Sequence, residues 1–379
     1  MNMTVIQRDV VVYYYDPIKA PLLRDAVLPA LRHLQPGIEA HLERGWLHGP
    51  HVRLRLAGER HTLIDASAQL ARGIARHLVD HRSRVRMSPD ELSALATAAG
   101  RAELVPPPYE PFIDDNTVRV EEPDPAAAAR VSGGPATRAV RAALLRAGVP
   151  AVEATVADVG RRADTTQARV RAAVIALAAH AAAGRWGLHS NYISYLSHLE
   201  LYLHHADPDG TLRARHHAIW RRTADRVTDL VAGSVDANTS DPLAAAWQRW
   251  GATARDLAAA AHDRGELRSA SPRDTLRRLA AFDDPTPLMA MHASTDSSEF
   301  HQLVQGFQRD ADAQRGFDIE RFCTNMLYLL LAVTDLTPAE RYLAAALVTE
   351  AAQRLSGRTW REFVEEVLRS QAAAAATPR

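Results

Sequence analysis

The chain has 379 residues, 47% of them apolar, enough for one large domain or two ordinary ones with a substantial core. Lys+Arg and Asp+Glu each total 45, so bulk charge gives no support to nucleic-acid binding and any basic patch must be local. Cys323 is the only cysteine, which excludes internal disulfides and cysteine-rich metal clusters. The opening MNMTVIQRDV has no apolar signal core, and no run approaches 18 apolar residues. These features predict a soluble cytoplasmic protein without a membrane segment. Lys19 is the only lysine. The arginine and alanine bias fits GC-rich bacterial coding, so a single arginine carries little weight.

In chain order, residues 9–15, DVVVYYY, are β-branched and aromatic and predict a buried strand ended by Asp16-Pro17. Residues 19–34 have helical periodicity and stop before Pro36-Gly37. Two alternating segments, 38–46 and 51–56, joined by His48-Gly49-Pro50, predict a β-hairpin, and a helix follows over 61–80. Residues 101–135 read as a long irregular connection holding one short strand, Thr117 to Val120, and a connection of that length is functional or a boundary. From 137 to 370 the pattern is helical, with breaks near Gly184, Pro208-Asp209-Gly210, Ser271-Pro272, Asp284-Pro285 and Thr337-Pro338. The expected class is α+β. Residues 1–135 form the strand-containing part, 136–370 the helical part, and 371–379 a disordered tail.

Two stretches carry candidate chemistry. In "GWLHGPHVRLRL" alternation puts His51, Arg53 and Arg55 on one strand face, within roughly 14 Å at ~6.8 Å per two residues. Such a row suits carboxylate or polarised carbonyl oxygens, and it also suits a solvated outer face. Trp46 and His48 flank it. In "WGLHSNYISYLSHLELYLHH", a helix from about Tyr192 stacks Tyr195, Leu199 and Tyr202 on one stripe and Ser194, His198, Leu201 and His205 on the next. Tyr195 and His198, three apart, pair a phenol with an imidazole that titrates near neutrality; the alternative is a tyrosine-rich core helix.

No G-x-S-x-G elbow appears, and nothing orients Ser197 and His198 as a hydrolase pair. The histidines at 198, 204, 205, 216 and 217 match no ligand-spaced motif, so no metal is expected. No Walker or Rossmann glycine pattern points to a nucleotide cofactor. Tyr15 is a core ring or a pocket wall. Asp114, Asp115, Glu121 and Glu122 read as solvated acids, and Asn116 as a cap or substrate contact.

The landmarks "VVVYYYDP", "WLHGPHVRLRL", "YISYLSHLELYL" and "FCTNMLYLLLAVTDLTPAERYLAAAL" together resemble the thiopeptide-type bacteriocin biosynthesis family, related to the C-terminal elimination domain of lantibiotic dehydratases. Gly49, Pro50, His51, Arg53 and Arg55 carry its most specific motif, followed by Tyr195, Ser197, His198 and Glu200. Elimination domains commonly have Arg-Tyr-Gly-Gly after Tyr-Glu-Pro. Here Tyr109-Glu110-Pro111 leads into "FIDDNTVRVEE", closer to the standalone pyridine synthases, with Pro111, Phe112, Asp115, Asn116 and Val118 in the matching places.

The resemblance implies an enzyme joining two dehydroalanines of a ribosomally made precursor peptide by a formal 4+2 cycloaddition. Water loss and leader-peptide elimination follow, and no cofactor is needed. It implies Tyr195, His198, Arg53 and Arg55 as catalytic, with Trp46, His48, His51, Tyr15, Asn116, Ser197 and Glu200 binding substrate. The partner is the leader-bearing precursor, and a homodimer is compatible. Two other readings remain: a standalone glutamate-elimination enzyme using the basic strand to hold the leaving carboxylate, and a non-catalytic subunit that presents a precursor peptide.

Overall fold

The computed structural model describes residues 5–124, 134–268, 272–286, 289, 291, 294, 296–307 and 309–376. The expected turn at Ser132-Gly133 and the end of the expected tail, 377–379, lie outside the described residues. The chain divides into two compact units. The first comprises residues 1–169, 265–270 and 326–337; the second comprises 170–264, 271–325 and 338–379.

Strands β1 (Val5–Tyr13), β2 (Glu39–Gly45), β3 (His51–Glu59) and β4 (Thr117–Glu121) form the first unit's antiparallel sheet, ordered β2-β3-β1-β4. The expected hairpin is β2–β3. The β-branched run of β1 earns a central place, with Asp9 opposite Arg55, Val11 opposite Arg53 and Tyr13 opposite His51. Alternation sorts the two faces. Val10, Val12, Leu42, Leu54 and Leu56 are buried with Leu63, Leu70 and Ile74 of α1 (Arg60–Asp80), a helix that packs on β1 and β3. The other face carries Asp9, Glu43, Arg53 and Arg55. Where α2 (Pro89–Glu103) approaches it, Val11, Tyr13 and Tyr15 pack with Leu92.

Between β1 and β2 the expected helix is present as Ala20–Leu22, a π-helical turn Leu23–Val27, and Leu28–Arg32. The unit continues with α3 (Gly134–Ala147) and α4 (Val149–Arg161). Lys19 is buried; its ammonium donates to Tyr14 O (2.5 Å) and Asp16 O (2.7 Å). Burial lowers its pKa to about 7.

Helix α5 (Thr166–Ala183) starts at the boundary, and its apolar residues from Ala172 to Ala181 are buried on every side, so it serves as a core rod. The second unit adds α6 (Leu188–Ala206), α7 (Thr211–Val235), α8 (Pro242–Asp263) and short helices at Pro272–Leu279 and Glu299–Val304. The last three are α9 (Ala311–Val333), which ends among first-unit residues, α10 (Pro338–Ser356) and α11 (Trp360–Ala376). Asp241 caps α8 through the amides of Leu243 and Ala244. Helix α10 packs against α6 and α7, and the Tyr202 and Tyr342 rings stack at 3.9 Å. The α+β class is as expected, and no helix among the described residues is long and apolar enough to cross a membrane.

Candidate functional site

On the polar face of the sheet, Arg55 meets a buried acid. Asp9, 2% exposed, accepts two hydrogen bonds from Arg55, from Nε and Nη2, both 3.0 Å. Burial opposes the Arg55 charge, but the Asp9 hydrogen bonds and the nearby Glu43 hold its pKa above the ordinary value. Glu43 pairs with Arg141 of α3 and lies 3.4 Å from His41. Burial acts to raise its pKa; the His41 hydrogen bond and the Arg141 and Arg55 charges outweigh that and hold it well below the carboxylate range.

Arg53 is less completely engaged. Its Nε sits 3.5 Å from Asp9 Oδ2 and is buried without a hydrogen-bond partner. Arg53 thus makes no two-pronged bond to Asp9, where Arg55 does.

His51 shares the face but carries no charge at neutral pH. It is 2% exposed, its Nδ1–H donates to Gly49 O (2.9 Å), and burial with the Arg53 charge lowers its pKa to about 3. It is a packing histidine, set against the Tyr13 ring at 5.2 Å.

The loop after α2 is locked to this region. Tyr15 N–H donates to Asp115 Oδ1 (2.8 Å), and the Tyr15 hydroxyl donates to Ile113 O (2.5 Å). His48 Nδ1–H donates to Pro111 O (3.1 Å), and Ile113 N–H to His48 O (2.8 Å). Asn116 takes a left-handed φ of 63° that suits asparagine, and its Oδ1 accepts from Ser83 N–H at 2.7 Å. Gly49 has φ 119°, and a Cβ there would lie 2.6 Å from the Tyr15 hydroxyl, so only glycine fits this turn. Trp46 meets Tyr109 edge-to-face at 5.5 Å. Tyr15 and His48, expected at substrate, thus spend hydrogen bonds on the loop, and Asn116, also expected there, ties the loop to Ser83 ahead of α2. Asp115, expected in solvent, is a turn acceptor because it caps two amides, those of Tyr15 and Asn116.

The other four predicted residues lie on α6, in the second unit. Gly187 (φ 67°) precedes this helix, which opens at Leu188, four residues before the expected start near Tyr192. Tyr195 is 0% exposed; its hydroxyl donates to Leu177 O (2.8 Å) and accepts from His180 Nδ1–H (2.7 Å) on α5. Burial lowers the His180 pKa to about 4, so the ring is neutral and the pair stitches two helices. The Tyr195 hydroxyl therefore lies in the core, as the alternative of a tyrosine-rich core helix has it. His198 is partly exposed. Ser197 Oγ lies 3.1 Å from His301 Nε2, whose Nδ1 meets Ser298 Oγ at 2.8 Å. Glu200 is buried and takes a two-pronged bond from Arg213 (2.7 and 2.9 Å).

Glu200 and Arg213 also border a cavity of about 480 Å³ between α6, α7, α10 and the start of α11. Sequence reasoning missed this cavity, together with Asp9 and His180. Asp9 was signalled by an acid opening a β-branched run, and His180 by an imidazole interrupting an apolar helix. Among the described residues no three His, Cys, Asp or Glu side chains are grouped to hold a metal ion.

No known family profile matches the chain, and no curated protein matches it by sequence. Solved structures do share its fold. The pyridine synthase TbtD, from thiomuracin biosynthesis, superimposes with a TM-score of 0.70 at 21% identity, covering 93% of this chain and 99% of that one. TsrL superimposes with a TM-score of 0.60 at 18% identity, covering 96% and 99%. The fold is that of these proteins, as the sequence resemblance implied.

Proposed function

We propose that the chain is a pyridine synthase that joins two dehydroalanines of a leader-bearing precursor peptide, then expels water and the leader. The observation that carries this reading is the fold shared with TbtD over 93% of this chain and 99% of that one. The motif set read from the sequence supports it independently.

The cycloaddition needs one amide in its imidic-acid form, so a proton leaves nitrogen and the carbonyl oxygen gains a donor. Arg53 is the proposed donor, since its guanidinium is not spent in a two-pronged pair; one such donor in a dry site contributes roughly 3–4 kcal/mol. His198 is the proposed acid for the departing water and leader amide. Tyr195 acts by holding α6 to α5. Arg55 keeps the polar face assembled. Holding one flexible peptide so that its two alkenes meet supplies further acceleration.

The glutamate-elimination reading relies on the basic strand to bind a leaving carboxylate, and that place beside Arg55 is taken by Asp9. Two substrates in parallel test the proposal by mass spectrometry: a leader peptide with two dehydroalanines, and the same peptide glutamylated on serine. The proposal expects a macrocycle from the first and no glutamate release from the second. The reverse result assigns the chain to elimination.

A further inference from the structure

The cavity of about 480 Å³ in the second unit has the size of a small-ligand pocket. Two indoles line it, those of Trp220 on α7 and Trp360 at the start of α11. Its principal charges cancel, because Glu200 is bound by both prongs of Arg213. Burial holds the Glu350 carboxyl above its ordinary pKa, against the pull of His217, which shifts that group toward its neutral form. Two polar atoms of the lining residues stay unpaired and buried: His216 Nδ1 and Thr349 Oγ1. Buried polar atoms are nearly always hydrogen-bonded, and an orphan calls for an explanation. Two orphans in the lining of one cavity are explained by an occupant that bonds both.

The walls are fixed in advance. Trp360 N–H donates to Gln353 Oε1 (2.7 Å), Gln353 Nε2 donates to Thr349 O (3.3 Å), and the Trp360 ring meets Phe300 edge-to-face at 5.5 Å. Preorganised walls bind without paying the ordering entropy.

We infer that this cavity seats an uncharged aromatic residue of the peptide substrate, with the ring against Trp220 and Trp360 and the backbone amide bonded to His216 Nδ1 and Thr349 Oγ1. Aromatic rings gain from each other beyond area burial. An amide offers both a donor and an acceptor, matching an imidazole nitrogen and a hydroxyl. A charged ligand would shed its hydration without an unmatched counter-charge to receive it. The inference rests on the peptide-substrate reading and names a recognition subsite within it.

The test uses the full chain and the probe N-acetyl-phenylalanine methylamide, followed through the indole N–H resonances assigned with Trp220→Phe and Trp360→Phe. Saturable shifts of both resonances are expected, with at least fivefold weaker binding of the N-acetyl-cyclohexylalanine analogue. Thr349→Val and His216→Phe should each weaken the probe at least fivefold, with no fall in melting temperature for Thr349→Val. Equal binding of the saturated analogue, no shift of either resonance, or full affinity in Thr349→Val overturns the subsite. Probe binding in a protein that never cyclises a dehydroalanine peptide leaves the subsite standing and removes the reaction. Cyclisation of that peptide with unchanged KM after all its aromatic residues become leucine does the opposite.

Discussion

Asp9 on β1 and Arg55 on β3 stand opposite each other and share two hydrogen bonds of 3.0 Å. A buried carboxylate needs a matched cation, and the antiparallel register delivers one. The second arginine of the row, Arg53, lies 3.5 Å from the same acid and is less completely engaged. The two arginines therefore have different expected phenotypes.

Arg55→Ala leaves Asp9 buried with only the poorly aligned Arg53. Removing one partner of a buried pair costs about 3–5 kcal/mol; with Arg53 nearby, the low end is expected. Urea denaturation should show a loss of about 3 kcal/mol. A change below about 0.5 kcal/mol, typical of a plain surface substitution, would mark Arg55 as an ornament of the surface.

Arg53→Ala should instead act on turnover. A ten-fold or larger fall in kcat/KM, about 1.4 kcal/mol or more, is expected with a melting temperature close to wild type. Unchanged turnover would remove the strand from the chemistry.

Tyr195→Phe keeps the ring and deletes the hydroxyl between Leu177 O and His180 Nδ1. Leaving a buried imidazole donor unpaired costs about 1–3 kcal/mol, so the variant should lose stability by that amount. His198→Ala should keep stability and slow water loss and leader release, so that a cyclised, unaromatised product accumulates. Wild-type stability in Tyr195→Phe would place the hydroxyl outside the core network.

His180 also sets a pH signature. Its folded pKa of about 4 lies below the ordinary 6.5, so between those values the unfolded chain binds more protons. Its contribution to stability is full above about pH 6.5 and falls as pH drops toward 4. His51, lowered to about 3, acts with the same sign over a wider range. Denaturation midpoints of wild type and His180→Gln, measured from pH 4 to 7, should differ in slope, with the wild type losing more stability on acidification. Parallel curves would contradict a buried neutral His180.

The sheet strands, the hairpin, the long loop and the helical remainder were legible because period-2 and period-3.6 patterns are local. Helix α2 was also writable from its capping box, Ser88 with Glu91, but the expectation passed over it. Pairings across distance were not legible. Nothing in the spacing of Arg53 and Arg55 says that Asp9 will face them, since that depends on β1 lying between β3 and β4. Helical periodicity likewise brings Tyr195 near His198 and is silent on His180, which is set on a different helix. The cavity at Trp220, Thr349 and Trp360 draws on four helices and leaves no pattern in any one of them.

The most direct test of the central claim is a time course with purified protein, chelator present and no nucleotide or tRNA added, on a leader peptide bearing two suitably spaced dehydroalanines. Mass spectrometry should show a macrocycle lighter than the starting peptide by water and the leader, with leader carboxamide released one-for-one. An unchanged dehydroalanine peptide, together with free glutamate from the glutamylated precursor, would contradict the account.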